Sequence, residues 1–205
     1  MAAFEAAIAV GAGIECDLRL TADGVPIVFH DRDAARLCGD PRVCSKTSWA
    51  DLTQLRLART DGGIPSLTQM LELVGGRVPL LLELKDERNG PRFAAAVVAE
   101  LRNYAGPVGV MSFAARVGGW LAEHAPTVRR GLVLSGRDST LRRWHKMRRA
   151  DPQFLAVKVT ELEEAWVHRA RKDMPVYSWT VRNAEDRETA QIQADACIWE
   201  ADGRP

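Results

Sequence analysis

The stretch Val78-Pro-Leu-Leu-Leu-Glu-Leu-Lys85 decides the fold class. Its apolar residues follow one another without alternating, so the strand they form is buried on both faces, as in the parallel sheets of α/β proteins. Working outward, the flanking segments 66–74 and 91–104 carry helical spacing, and the same alternation recurs along most of the chain. Helices are predicted over 2–10, 66–74, 91–104, 114–124, 139–150, 161–172 and 184–193. Strands are predicted over 13–20, 26–30, 78–85, 108–113, 131–134, 154–159, 176–181 and 196–200. Strands alternating with helices of this length argue for βαβ units. No strand leads into a G-x-G-x-x-G turn, so an α/β (β/α)8 TIM-type barrel is expected in place of an open dinucleotide-binding sheet. No repeat, low-complexity tract or linker interrupts residues 1–205, which read as one domain.

The strands 13–20 and 26–30 are too close together to hold a crossover helix. Asp23-Gly24 between β-forming residues is a strong hairpin signal, so these two runs are expected to be antiparallel. A two-residue turn there would pair Ala22 with Val25 and, continuing that register, set Asp17 opposite His30. Residues 31–65 read as an inserted loop region near one barrel mouth, longer than ordinary connections. A short helix is expected inside it at 48–57, capped by Ser48 with Asp51 three residues on.

The single acid in the opening stretch, Glu83, is the anomaly that points to chemistry. Glu15 and Asp17 lie two apart on their strand and share one face, while Cys16 points to the other. Glu83 and Lys85 share a face in the same way. Carboxylates so arranged repel unless a positive charge sits among them. Three acids without a matching Cys/His set make an oxygen-only site suited to a divalent cation, Mg²⁺ or Ca²⁺, more than to Zn²⁺. Lys85 would take further negative charge from a phosphate, and His30 would move a proton. Together these groups describe metal-assisted phosphate ester chemistry.

Composition narrows the alternatives. The 205 residues are 46% hydrophobic and 27% charged, and 28 Lys and Arg against 27 Asp and Glu leave a net charge of +1. A global attraction to nucleic acid or anionic membrane is therefore not expected. No apolar run approaches the roughly 18 residues of a membrane span, and residues 1–5 lack the basic start of a signal peptide. Four cysteines, Cys16, Cys38, Cys44 and Cys197, form no C-x-x-C pair and read as free thiols in a cytoplasmic protein.

At the residues carrying these carboxylates the chain resembles the glycerophosphodiester phosphodiesterase family. The matching pattern is Ala3-Phe-x-x-Ala-x-x-x-Gly11, Ile14-Glu-x-Asp17 and Thr21-x-Asp-Gly-x-Pro-x-Val-x-His-Asp31. It continues through Ile64-Pro-Ser-Leu67, Leu82-Glu-Leu-Lys85, Met111-Ser-Phe113, Trp179-Thr-Val-Arg182 and Ala194-Asp-Ala-Cys-Ile198. The resemblance implies a TIM barrel that hydrolyses a small-molecule glycerophosphodiester to an alcohol and glycerol 3-phosphate. It implies Glu15, Asp17 and Glu83 as metal ligands, His30 as one of two catalytic histidines, Lys85 on the phosphate and Trp179 in the substrate pocket. A non-catalytic barrel that binds a phosphate ligand is the alternative.

One departure stands out. Family members begin with a strand ending in His-Arg-Gly and a Pro-Glu-Asn segment, whereas this chain starts at the following helix. The expectation is therefore an N-terminally truncated barrel without its first strand and partner histidine. Either Met1 is a misassigned or truncated start, or an unpaired barrel edge invites association into a homo-oligomer. His124, His145 and His168 fall on predicted helices and read as surface residues. The basic run 142–149 reads as a barrel helix with Leu141, Trp144 and Met147 turned inward, a contact with a membrane surface being the other reading. Asp202-Gly-Arg-Pro205 reads as a frayed tail.

Overall fold

The computed structural model describes residues 1–58, 60, 62–85, 89–201 and 204. Asp61 and most of the C-terminal Asp202–Pro205 segment lie outside these residues. The chain folds as two compact units, Met1–Val110 and Met111–Pro205.

The first unit opens with α1 (Ala2–Ala9), followed by β1 (Ile14–Leu20) and β2 (Pro26–Val28). The insertion then contributes the short helices α2 (Ala35–Cys38) and α3 (Trp49–Leu52), with a 3₁₀ turn at Cys44–Lys46 between them. After it come α4 (Leu67–Val74), β3 (Leu80–Leu84), α5 (Gly90–Leu101) and β4 (Val108–Ser112), the strand along which the first unit ends, and the strand order is β2-β1-β3-β4. α4 illustrates how sequence sets an element. Ser66 and Gln69 form a reciprocal capping box, and Gly75 stops the helix at φ 55. Leu67, Met70, Leu71 and Val74, spaced for one helical face, are all buried.

β1 and β2 are antiparallel, as expected, but with a different turn. Leu18 pairs with Val28 and Leu20 with Pro26, and Thr21 N donates to Val25 O at 3.0 Å. The loop therefore has three residues, with Gly24 at φ 90, a position where a Cβ would be strained. That one-residue shift brings Phe29 to Asp17, where its N–H bonds to Asp17 O at 2.9 Å.

The insertion packs against the β2 segment through a shared core. Ile27, Phe29, Ala34, Cys44, Leu52, Leu55 and Ile64 are buried together, with Leu37 and Trp49 packed against them. Ser48 caps α3 as expected, accepting from Asp51 N at 3.2 Å. The helix is shorter than predicted. Gln54 N and Leu55 N bond to Asp51 O and Leu52 O, a tighter turn that brings Leu55 back to the core.

The second unit continues with α6 (Ala115–His124), β5 (Arg129–Leu134), α7 (Thr140–Ala150), β6 (Phe154–Lys158), α8 (Ala165–Ala170), β7 (Val176–Val181), α9 (Ala184–Gln193) and β8 (Ala196–Trp199). Its strands run β5-β6-β7-β8, parallel throughout. The predicted helix at 161–172 is divided into a 3₁₀ turn, Val159–Glu161, and α8. Buried Val159 and Leu162 lie three apart, which suits the tighter turn. Leu132, Leu134, Leu155, Val157, Val176 and Val181 form the centre of this unit's core.

Two features of this unit are checkable. On α7, Leu141 and Trp144 face solvent, contrary to expectation, and only Met147 of the three packs on the core. The inward side is taken instead by Ala150, by Lys146 on Asp138 and by Arg143 over the Trp166 ring. On β5, Gly131 lies opposite Phe154, and a Cβ there would fall 2.2 Å from the ring. That ring is fully buried and stacked on Tyr177 at 4.8 Å, so it has little room to yield. Gly131→Ala is expected to lower stability by about 1–3 kcal/mol, read as an earlier urea midpoint; an unchanged midpoint would contradict this packing.

Candidate active site

The acids are gathered by strand register. β1 and β3 are parallel neighbours with Asp17 directly opposite Glu83 and Glu15 opposite Leu81. Because side chains alternate along a strand, Glu15, Asp17, Glu83 and Lys85 all project from one face of this pair. Glu83 is buried and only 7% exposed, while Glu15 and Asp17 are half-buried. Each of the three acids offers a carboxylate oxygen within 4.8 Å of the others. All three residues belong to the first unit.

Three such carboxylates need compensation, and Lys85 supplies part of it. Its Nζ lies 2.9 Å from Asp17 Oδ1 and 2.6 Å from Glu83 Oε1. Burial works against this ammonium, but Glu83 and Asp17 outweigh it and hold the Lys85 pKa above its ordinary value. Even so the acids remain underneutralised. Burial first, then Asp17 and Glu83, push Glu15 up to about 8 against the pull of Lys85. Burial raises Glu83 as well, with Lys85 opposing. A second positive charge among these oxygens would relieve both. The donors are all hard oxygens at cation-binding separation, so the residues present fit Mg²⁺ or Ca²⁺.

The pH dependence follows in sign. A carboxyl that holds its proton more tightly when folded contributes stability below its unfolded pKa. That contribution is lost as pH rises through the folded value. For Glu15 the window runs from 4.5 to about 8. Asp31, lowered to about 2, acts below that window. The metal-free chain is expected to lose on the order of 1–2 kcal/mol, several degrees of Tm, between about pH 5.5 and about pH 8.5. Added Mg²⁺ or Ca²⁺ should recover it at the upper end. Thermal melts with metal and with EDTA check this; a Tm that climbs steadily with pH in EDTA would contradict it.

His30 follows β2 and is presented outward, its side chain 61% exposed. It lies close enough to Glu83 to lower that acid's pKa electrostatically. His30 Nδ1 is 2.8 Å from Asp31 Oδ1. Arg36 donates to both Asp31 oxygens, at 2.6 and 3.0 Å. The Arg36 bonds, with a smaller contribution from His30, hold Asp31 near 2, so it is an anion at neutral pH. An ionised acceptor fixes the hydrogen on Nδ1 and leaves Nε2 as the proton-handling nitrogen.

Arg19, which the sequence reading did not single out, ties this arrangement together. Its Nε and Nη2 donate to His30 O at 3.0 and 2.8 Å, and its Nη1 to Lys85 O at 3.3 Å. The signal was available: Arg19 continues the period-two series Glu15, Asp17 on the same face. Trp179, on β7 of the second unit, is half-buried. Phe113 meets it edge-on at 5.7 Å, and Lys158 Nζ lies 5.4 Å from its ring centre. His124, His145 and His168 are exposed on helices, as expected. The four cysteines are free thiols. No helix among the described residues is long and apolar enough to cross a membrane.

Comparison with known proteins bears on the fold and on the family. A phosphodiesterase from Oleispira antarctica, solved with the product sn-glycerol-3-phosphate, superposes with a TM-score of 0.84 at 23% identity, covering 97% of this chain and 85% of that one. A glycerophosphodiester phosphodiesterase from Thermotoga maritima gives 0.79 at 24% identity, over 97% of this chain and 86% of that one. One from Parabacteroides distasonis gives 0.79 at 22%, over 95% and 82%. These likenesses place the fold in the α/β, TIM-barrel class. The sequence model of the glycerophosphoryl diester phosphodiesterase family matches residues 1–200. With that match over nearly its whole length, the chain belongs to the glycerophosphoryl diester phosphodiesterase family, a family of phosphoric diester hydrolases.

Proposed function

We propose that this protein hydrolyses glycerophosphodiesters to an alcohol and glycerol 3-phosphate with a divalent cation held by Glu15, Asp17 and Glu83. The observation that supports it most is the meeting of those three carboxylates around one ammonium, within 4.8 Å of each other, beside an imidazole with its own carboxylate partner. A cation bound there supplies Lewis-acid stabilisation of negative charge on a phosphoryl oxygen. Lys85, at the centre of the acids, adds a second positive charge for the phosphate. His30 exchanges a proton through Nε2, with Asp31 fixing its tautomer and Arg19 holding its backbone.

The family membership and the O. antarctica structure with bound glycerol 3-phosphate favour this substrate class. A cytoplasmic location is part of this proposal, supported by cysteines that form no disulfide. The test is release of glycerol 3-phosphate from glycerophosphocholine and glycerophosphoethanolamine by the purified chain, with Mg²⁺, with Ca²⁺ and with EDTA. The expected result is turnover that depends on the metal. A folded chain that binds either diester tightly without releasing product would select a non-catalytic phosphate binder instead.

A further inference from the structure

The outward face of α7 is unusual in composition and serves no purpose in the site described above. The helix has eleven residues, Thr140–Ala150, with five Lys or Arg and no acid. Its exposed side carries two large apolar residues, Leu141 at 66% exposure and Trp144 at 51%. At 3.6 residues per turn, Leu141, Trp144, His145 and Arg148 form one continuous stripe, with Arg142 and Arg149 along its rim.

The inward cations have structural work: Lys146 pairs with Asp138 at 2.6 Å and Arg143 lies over Trp166 at 4.7 Å. The outward ones do not share that burial, although exposed Arg142 also pairs with Asp138 at 2.9 Å. Arg148 sits 5.2 Å from the Trp144 ring centre, so cation and indole are presented together. Arg149, and Arg137 just ahead of the helix, are exposed as well. Single exposed apolar side chains are ordinary, but a Leu–Trp pair inside a cationic stripe is not.

We infer that this face of α7 docks the protein reversibly on an anionic lipid surface. The charge complementarity is local, since the whole chain carries only +1. Trp and Leu enter the headgroup boundary while the flanking guanidinium groups meet lipid phosphates, the pattern of interfacial helices. Each basic side chain brought near an anionic surface strengthens binding roughly fivefold. With two apolar anchors and a few cations the contact is weak enough to be released by salt. The inference does not depend on the proposed reaction.

The test is co-sedimentation of the full chain with vesicles of pure phosphatidylcholine and of an equal mixture of phosphatidylcholine and phosphatidylglycerol. Binding is expected to the mixture only, falling as salt is raised. The double variant Leu141→Ser/Trp144→Ser should weaken it by more than about tenfold. Arg148→Glu/Arg149→Glu should do the same through charge. Both pairs are exposed, so both variants should stay folded, the serine pair melting with the parent and the glutamate pair somewhat lower because it reverses last-turn charges at the helix C-terminus, which separates lost docking from lost folding. Binding left intact in both variants overturns the inference, as does a folded parent that stays in the supernatant with either vesicle. A parent dimer that the Leu141/Trp144 variant converts to monomer assigns the face to a second copy instead. Retention on single-stranded DNA in place of vesicles assigns it to nucleic acid.

Discussion

Glu83→Gln is expected to reduce kcat/KM on the order of 10³-fold, with the concentration of Mg²⁺ or Ca²⁺ needed for half-maximal activity rising at least about tenfold. The amide keeps the size of the side chain in a site where only 7% of it is exposed, so packing is retained. What changes is charge: one ligand oxygen becomes neutral, and Lys85 loses its anionic partner at 2.6 Å while keeping Asp17 at 2.9 Å. The metal-free variant should be no less stable than the parent above about pH 7, because a repelling carboxylate has been removed. Initial rates against metal concentration, with a melt in EDTA, check both halves. A variant with parental metal dependence would remove Glu83 from the site.

The second large effect is expected at His30. His30→Ala should lower kcat by 10²–10⁴, the range of a general acid or base, while the metal titration stays where it was. Asp31→Asn should cost less and act through His30, since the imidazole remains but its Nδ1 loses the anionic acceptor at 2.8 Å. If Ala at position 30 left kcat intact, proton transfer would have to be reassigned.

How much of this was legible in the sequence depends on how local the determining physics is. The strand 80–84 and its neighbours were readable because consecutive apolar residues have few other uses, and the acid among them marked the site at once. The pairing of Glu15 with Asp17, and of Glu83 with Lys85, followed from the two-residue repeat of a strand. The hairpin register did not. Asp23-Gly24 suggested a two-residue turn, but Thr21 closes onto Val25 and Asp23 is used to bind Thr21 Oγ1 at 2.5 Å and Trp49 N at 3.0 Å. The Trp49 contact comes from the insertion and is invisible locally. His30 therefore belongs beside Asp31 in place of directly opposite Asp17.

The same limit explains α7. Hydrophobicity alone turned Leu141 and Trp144 inward, yet the inward positions are held by Lys146 and Arg143 because Asp138 and Trp166 are there to meet them. A buried partner from another element decides which face of a helix is the inner one. For Arg19 the two-residue repeat gives the face but not the role, because its partners are backbone carbonyls of His30 and Lys85, which leave no mark in the sequence.

The most direct test of the central claim, that the three carboxylates hold a cation used in diester hydrolysis, is to measure metal occupancy and turnover on one preparation. Mg²⁺ or Ca²⁺ is titrated into the metal-stripped chain while binding is followed by calorimetry and glycerol 3-phosphate release by initial rates. One binding event is expected whose half-saturation coincides with half-maximal turnover, with loss of both in Glu83→Gln. Turnover that persists in EDTA, or binding that Glu83→Gln leaves unchanged, would contradict it.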